Sequence, residues 1–306
     1  MRSEFSQSLV RIARADSSVV LLTGDHGYAL FDEFRKHCPD QYINAGIAEQ
    51  NMVGMAAGLA RGGLRPFVYG LSAFVPIRVL EQIKLDVAHD DLPVVFLGDG
   101  AGFVYSHLGT SHQSTEDIAC TRSTPGLAVY SPADRFELRA CLQTAYERAR
   151  PAYMRMGKSD RGDVHAGPIE GELPELINVR PGAGPGGPAF IATGSMVRTA
   201  VDLADRDWPA ASVWSLPIVK PFPPSVLHEV ADASRCIVVM EEHSVMGGIG
   251  GLVAELCSEH RPLPILRIGV QDRFSHHCGS YEYLLREHGL DHASVRDRVR
   301  SFLDRS

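Results

Sequence analysis

The chain has 306 residues, of which 44% are hydrophobic and 22% charged, and this profile predicts a globular protein with room for two domains. A formal net charge of −7 argues against a nucleic-acid-binding protein. No apolar run approaches the ~20 residues that a membrane helix needs, and the polar N-terminus predicts no signal peptide. Six scattered cysteines without a Cys-x-x-Cys pair are typical of reduced thiols, which favours a cytoplasmic location.

The first half of the sequence alternates between β-rich apolar runs and segments with helical periodicity. The predicted strands are Val19–Thr23, Pro66–Leu71, Pro93–Gly98, Leu127–Tyr130 and Ala152–Met156, and the predicted helices cover 46–61, 74–89 and 133–149. This alternation predicts a mostly parallel sheet covered on both faces, with ligands beyond the carboxyl ends of the strands. The candidate site loops are therefore 24–28, 44–49, 71–76, 98–114 and 155–160.

A segment rich in Gly and Pro, 157–188, interrupts the alternation and predicts a linker. Beyond it, strands are expected near 189–193, 211–216, 236–241 and 264–269, with helices near 195–206, 223–232, 247–258 and 280–304. The sequence therefore predicts an α/β protein with two doubly wound domains, a first domain over 1–160, a linker over 161–187 and a smaller domain over 188–306.

The predicted helix that begins near residue 46 is small and apolar apart from one acid, Glu49, in its first turn. Such a helix can pack closely against a flat partner and bury its carboxylate at the contact. A buried carboxylate holds its proton more tightly than a free one and can relay protons near neutral pH. Alternatively, Glu49 only favours the positive end of its own helix. The spacing alone leaves both interpretations open.

Several other polar residues fall in the candidate site loops. His107 and His112 share a loop with Ser, Thr and Gln, which is polar enough for an active site, although loop histidines are often only solvated. Arg78, Arg155 and Lys158 lie near predicted element ends, where arginine can clamp a phosphate or carboxylate.

Two patterns that look like binding sites are rejected. The glycine turn at 97–102 matches no phosphate-binding motif, so a tight strand-exit turn explains it. The adjacent residues 276–278 (His-His-Cys) cannot easily surround one ion, and we predict no metal site in this chain.

Three stretches together resemble a known family. Gly46–Ala60 and the Gly-Thr-Ser-His-Gln of 109–113 strongly resemble the pyrimidine-binding domain of transketolase and deoxyxylulose-phosphate synthase. Pro151–Arg155 resembles the strand that follows in those enzymes, and Val238–Gly251 resembles the start of the transketolase C-terminal domain. The resemblance covers nearly the whole chain in the correct order. It implies a pyrimidine-binding first domain, a transketolase C-terminal-like second domain and thiamine diphosphate as cofactor.

The resemblance also implies roles for residues around the cofactor. The glutamate that matches Glu49 hydrogen-bonds the pyrimidine ring nitrogen and so promotes removal of the proton from the thiazolium carbon. Phe74 matches the aromatic that stacks on the pyrimidine, and Phe67 or Tyr69 is a further candidate for the same pocket. Asp25 matches an acid near the cofactor.

Substrate contacts are implied in the same way. His112 matches a histidine near the reacting carbon, where it would donate to a developing alkoxide. Arg78 and Arg155 match arginines that hold substrate phosphate in the synthase. His107 and Lys158 complete the set of candidate substrate-binding residues.

The chain departs from the family at three points. Leu108 stands where transketolases carry an aspartate that reads a sugar hydroxyl, and no histidine stands near 99–100, where transketolase contacts donor phosphate. The loss of the aspartate favours a donor that lacks that hydroxyl or is apolar, because an unpaired polar group is costly. The two departures together leave open whether the substrate is new or the site is rearranged. The third departure is that the N-terminal diphosphate-binding domain is missing.

The missing domain predicts a split enzyme. A separate N-terminal transketolase-like subunit would hold the diphosphate and Mg²⁺, in an α2β2 heterotetramer. We expect transfer of a two-carbon ketol or acyl unit from a small keto donor to an aldehyde.

Two alternatives belong to other functional classes. The first is the beta subunit of a 2-oxoacid dehydrogenase complex, against which the Gly-Thr-Ser-His-Gln stretch argues. The second is a non-catalytic regulatory subunit, which the joint retention of Glu49, Phe74 and His112 disfavours.

Overall fold

The computed structural model describes residues 1–27, 29–158, 160–183 and 186–305. Residues 28 and 159 of the predicted site loops, and 184–185 of the predicted linker, lie outside this range. The described strands are β1 (Val19–Thr23), β2 (Tyr42–Asn44), β3 (Arg65–Leu71), β4 (Val95–Asp99), β5 (Ala128–Tyr130), β6 (Ala152–Met156), β7 (Ile177–Arg180), β8 (Ala189–Ala192), β9 (Ser212–Ser215), β10 (Ile218–Lys220), β11 (Ile237–Ser244) and β12 (Ile265–Val270).

The described α-helices lie between and beside these strands. They are α1 (Arg2–Ala15), α2 (Asp32–His37), α3 (Glu49–Arg61), α4 (Leu80–Gln82), α5 (Asp117–Arg122), α6 (Arg135–Arg148), α7 (Met196–Arg206), α8 (Pro224–Ala233), α9 (Ile249–His260), α10 (Tyr281–Glu287) and α11 (His292–Leu303). A short 3₁₀ turn, Ile77–Val79, precedes α4, and one π-helical stretch, Ile83–Ala88, continues it. Among the described residues, no helix is both long and apolar enough to cross a membrane.

The first sheet has seven strands in the order β10-β5-β6-β4-β3-β1-β2. All pairs are parallel except β10–β5, which is antiparallel. Its strands are buried on both faces, and successive residues enter different cores: Leu21 packs with α1 and α6, whereas Leu22 packs with α3. The carboxyl ends of β1, β3, β4 and β6 therefore meet at one edge, where the candidate site loops lie.

The second sheet has five strands in the order β12-β11-β8-β9-β7, with β7 antiparallel at its edge. Helices α7, α10 and α11 pack in one core with this sheet, and α8 and α9 belong to the core that continues under the first sheet. These two mostly parallel sheets confirm the predicted α/β fold class.

Several elements differ from the sequence-based expectation. Helix α1 and strands β2, β7 and β10 were not predicted. Strand β7 lies within the segment predicted as a linker, and β10 comes from the second half of the chain yet pairs with β5 of the first sheet. The exact domain boundaries stay a prediction.

The helix predicted over 280–304 is two helices. The chain takes a left-handed conformation at Gly289, where φ is 67°, and that conformation ends the first helix. Asp291 then caps α11 by accepting hydrogen bonds from the backbone N–H groups of Ala293 and Ser294.

Candidate active site

Glu49 is the first residue of α3, and its neighbours explain its burial. The helix turns Met52, Val53 and Ala56 into the core, which draws Glu49 inward until only 4% of the residue is exposed. Its Oε2 accepts a hydrogen bond from Arg78 Nη1 at 3.0 Å. Its Oε1 is buried and has no hydrogen-bond partner among the described residues. Because buried polar atoms are nearly always paired, this oxygen marks a place where a ligand donor fits.

Phe74 lies next to this ion pair. The Arg78 guanidinium carbon is 4.1 Å from the centroid of the half-buried Phe74 ring. The His112 ring meets Phe74 edge to face, with 5.3 Å between centroids and 65° between planes. The structure therefore brings together four of the predicted site residues, which come from three separate loops: Glu49, Phe74, Arg78 and His112.

His26 joins the same group, although the sequence singled out only its loop. Its ring centroid is 6.4 Å from that of Phe74, and its Nε2 is buried without a hydrogen-bond partner in the described chain. The signal that could have found it is its position shortly after β1, at the carboxyl edge of the parallel sheet.

Asp25 organises the loop beside His26. It adopts φ of 62°, in the left-handed region, and its backbone N–H donates to Asn44 Oδ1 at 3.1 Å. Asn44 Nδ2 returns a bond to Asp25 Oδ1 at 3.2 Å, and Asn44 Oδ1 also accepts from Gly46 N. These bonds tie the loop after β1 to the segment that leads into α3 and Glu49.

Tyr69 belongs to a second polar group at the same edge of the sheet. Its ring packs against Phe5 and Phe31 in the core, and its hydroxyl donates to Asp99 Oδ2 at 2.8 Å. Burial and the Asp99 charge raise the pKa of this phenol. The Tyr69 hydroxyl is thus bonded within the protein, and a contact between Tyr69 and the cofactor stays a prediction.

Asp99 is the centre of that second group. The same Oδ2 accepts from Arg2 at 2.6 Å and from the Tyr105 hydroxyl at 2.9 Å. Burial and the Asp99 charge raise the pKa of Tyr105 to about 12. Arg2 belongs to α1, so the N-terminal helix supplies a cation to the carboxyl edge of the sheet. The sequence did not predict this contribution.

A cavity of about 230 Å³ opens beside this group. Two predicted substrate-binding residues, His107 and Lys158, line it together with Arg2 and Tyr105. Lys158 also forms an ion pair with Asp160, with 3.2 Å between Nζ and Oδ2. Of the predicted substrate-binding residues, His107 and Lys158 therefore lie at this cavity and Arg78 lies in the group around Glu49.

Arg155 does not join either group. Its side chain is 2% exposed, and its Nε bonds both Asp117 oxygens, at 3.1 and 2.8 Å. Its Nη2 donates to the backbone carbonyl of Glu242 at 2.7 Å. This placement corrects the expectation of a substrate-phosphate contact, because the guanidinium is buried and bonded within the protein.

The second domain holds the loop that carries both histidines. Glu242, at the end of β11, accepts a hydrogen bond from Phe103 N at 2.7 Å and another from the Tyr281 hydroxyl at 2.5 Å. A single antiparallel bridge between Gly102 and Ser114 closes the loop between them. A Cβ atom at Gly102 would lie 2.3 Å from Glu242 Oε1, so only glycine fits there. The position of His112 thus depends on both domains.

Comparison with family models assigns both halves of the chain. Residues 1–162 match the transketolase pyrimidine-binding domain, and residues 189–295 match the transketolase C-terminal domain. The chain therefore belongs to the transketolase family, whose members are thiamine diphosphate-dependent transferases.

Individual relatives show which part of that family it resembles. It is 32% identical over 299 residues to one subunit of the apulose-4-phosphate transketolase of Phocaeicola vulgatus, covering 96% of this chain and 94% of that protein. It is 36% identical to 1-deoxy-D-xylulose-5-phosphate synthase of Chlorobium luteolum over 97% of this chain, but spans only 48% of the synthase. A solved structure described as a split-gene transketolase, inactive beta4 tetramer, has a TM-score of 0.88 at 31% identity, covering 99% of this chain and 98% of that one. The chain is thus a transketolase-like subunit of the split type.

Proposed function

We propose that this chain supplies the pyrimidine-binding half of a thiamine diphosphate site and transfers a two-carbon ketol or acyl unit from a keto donor to an aldehyde. The observation that carries the proposal is the buried Oε1 of Glu49, which has no partner among the described residues. The aminopyrimidine of thiamine diphosphate presents a ring nitrogen that can share a proton with such an oxygen. When bound, this cofactor supplies a carbon nucleophile and stores the electron pair of the broken bond.

The residues around Glu49 fit that ring. Arg78 fixes Oε2, which leaves Oε1 oriented and enclosed for a single donor. The Phe74 ring, half-buried beside it, offers a flat face for an aromatic ring to stack on. Asp25 contributes through its hydrogen bonds with Asn44, which tie the loop after β1 to the segment that leads into α3.

His112 is proposed to donate a proton to the substrate oxygen. The Ser111 hydroxyl lies 2.9 Å from His112 Nδ1 and orients the ring. This contact leaves Nε2 as the nitrogen that can face a reacting carbonyl beside Phe74. In the reaction, this chain would therefore position and enclose the cofactor ring and donate a proton to the substrate oxygen.

The diphosphate and Mg²⁺ are proposed to bind a partner subunit. Within the described ranges, no group of three His, Cys, Asp or Glu side chains could hold a metal ion. The relative from Phocaeicola vulgatus, itself named as a subunit, and the structure described as an inactive beta4 tetramer support a two-chain enzyme, and we propose an α2β2 heterotetramer.

All six cysteines are free thiols, which supports a cytoplasmic location.

The cavity with His107 and Lys158 is proposed to take an anionic end of the donor. Arg2 adds a guanidinium to its wall beside Asp99, with which it is paired and which also lines the cavity. The relative from Phocaeicola vulgatus is named for a phosphorylated sugar. Leu108, which is 47% exposed in the adjoining turn, offers no hydrogen bond. This favours a donor that lacks the hydroxyl read by an aspartate in transketolases.

Reconstitution tests the proposal. The chain should show no turnover alone, and turnover and cofactor binding should appear on addition of a subunit that carries the diphosphate-binding domain. Full activity of this chain by itself would refute the two-chain enzyme.

A donor comparison tests the substrate class. Deoxy or 2-oxoacid donors should be used better than xylulose 5-phosphate, and Leu108→Asp should move the ratio toward xylulose 5-phosphate. A strong preference of the unmodified enzyme for xylulose 5-phosphate would contradict the assignment, without affecting the cofactor site.

A further inference from the structure

A second cavity lies at the opposite, amino-terminal edge of the first sheet. It has a volume of about 280 Å³ and opens between β5, β6, α6 and β10. No residue of the proposed active site lines it. Because β10 and the following Pro221 come from the second half of the chain, the walls are supplied by both halves.

Small side chains create the space. Ala128 and Ala152 begin neighbouring strands, and Ala145 faces them from α6. A larger residue at these positions would fill the cavity, as close packing normally does. The lining is predominantly apolar, so the cavity suits a small apolar ligand body.

One polar group lines this apolar wall. Tyr130 has no exposed surface, and the Arg148 guanidinium lies beside its hydroxyl, which has no other hydrogen-bond partner among the described residues. Burial has the larger effect on the Tyr130 phenol and raises its pKa to about 12, against the smaller opposing effect of the Arg148 charge. Because a guanidinium can only donate, the Tyr130 O–H has no acceptor among the described residues, which points to a ligand acceptor at that place.

Cations surround the same cavity. Arg148, Arg150 and Lys220 all line it. Arg148 lies 3.6 Å from the Glu172 carboxylate, and Arg150 lies 3.0 Å from the Asp91 carboxylate. Neither carboxylate lines the cavity.

Lys220 Nζ donates to the backbone carbonyls of Arg122 and Thr124, and Arg150 is paired with Asp91. Arg148, whose carboxylate neighbour Glu172 is exposed, is therefore the cation that the lining offers to a ligand beside the Tyr130 hydroxyl.

We propose that this cavity binds a small organic acid, a single carboxylate on a small apolar body. The carboxylate accepts from the Tyr130 hydroxyl and the Arg148 guanidinium, and the body lies over the alanines. A charge-assisted pair with arginine supplies the orientation, and the apolar contact supplies the selectivity for a monocarboxylate over inorganic phosphate. Such a ligand joins β5 to β10 and so stabilises the contact between the two halves of the chain.

The test measures binding of para-fluorobenzoate to this protein by line broadening in fluorine NMR spectra. Saturable binding is expected below about 10 mM, the range of small, weakly held ligands. The neutral analogue para-fluorobenzyl alcohol should bind at least about 5-fold more weakly, because it cannot pair with arginine.

Variants locate the binding. Arg148→Gln and Tyr130→Phe should each weaken para-fluorobenzoate binding at least about 3-fold, as expected for loss of one hydrogen bond. Arg139→Gln, on the same helix but outside the cavity, is the matched control and should bind normally. Absence of saturation, equal binding of the alcohol, full competition by phosphate, or unchanged affinity of both variants would each overturn the proposal.

Discussion

Two buried carboxylates of the first domain have opposite surroundings. Asp117 is fully enclosed, and it accepts hydrogen bonds from Arg155 Nε at 2.8 Å and from the Tyr153 hydroxyl at 2.7 Å. Glu49 is almost equally buried, but its one described partner, Arg78, is 47% exposed and bonds a single oxygen.

The difference separates structure from function. The Asp117 pair is complete within the chain, so its loss should act on stability. The Glu49 carboxylate is incomplete, and an unpaired buried acceptor is retained where a group from outside the chain completes it. Its loss should act on activity.

Glu49→Gln should separate the two regions most sharply, because it keeps the side-chain size and removes the charge. In the assembled enzyme, turnover should fall about 100-fold or more, which is typical for a positioned acid–base group. The free energy of unfolding should change by less than about 1 kcal/mol, since the lost partner is half-exposed. Steady-state assays and urea unfolding measure the two effects.

Glu33→Gln, on the exposed face of α2, is the matched control and should alter neither quantity. Unchanged turnover of the Glu49 variant would instead support a non-catalytic subunit.

Asp117→Asn should give the converse result. It leaves the buried Arg155 guanidinium without its counter-charge, and breaking such a pair costs about 3–5 kcal/mol. Urea unfolding measures the loss. Asp202→Asn removes a surface partner of Arg198 on α7 and should cost less than about 0.5 kcal/mol. Equal stability of the two variants would show that the Asp117 pair does not stabilise the fold.

A third buried carboxylate, Glu137, sharpens the comparison through pH. Its Oε2 accepts from Ala133 N, and burial raises its pKa from 4.5 to about 7. Between these values the unfolded chain releases the proton while the folded chain keeps it, so stability falls as pH rises from about 4.5 to 7. The loss reaches at most about 3 kcal/mol and is complete above the folded-state pKa.

Glu137→Gln should remove this part of the pH dependence, measured as the difference in unfolding free energy between mildly acidic and mildly alkaline buffer. Glu147→Gln, exposed on the same helix, should retain the wild-type slope. An identical slope in Glu137→Gln would show that Glu137 is ionised throughout.

Phe74→Leu should have the smallest effect. It keeps apolar volume but loses the aromatic face, which contributes about 0.5–1.5 kcal/mol in ring pairs. Cofactor affinity in the assembled enzyme should fall about 3- to 10-fold, as measured by titration calorimetry. Phe274→Leu, at a residue that is 79% exposed, serves as the control. Equal affinity in both variants would remove Phe74 from the cofactor site.

The sequence predicted what local patterns encode. The long parallel strands and α3 follow from continuous apolar runs and helical periodicity, so Glu49 could be placed at a helix start at the sheet edge. Helix α1, which was not predicted, also has a helical signal in the spacing of its buried residues Phe5, Leu9 and Ile12.

Other features depend on contacts between distant segments. Strand β10 has three residues, too few for a periodic pattern, and it pairs with a strand almost ninety positions earlier. The hydrogen bonds that enclose the Arg155 guanidinium involve Asp117, 38 positions away, and Glu242 of the second domain. Neither partner is visible from the residues that flank Arg155.

Proton exchange at the cofactor tests the role of Glu49 most directly, because it needs no donor substrate. The assembled enzyme, loaded with thiamine diphosphate, is mixed with deuterium oxide, quenched in acid and analysed by proton NMR for the thiazolium proton. The account predicts exchange about 100-fold slower or more in Glu49→Gln than in the wild type or in Glu33→Gln. Equal exchange rates in all three would contradict it.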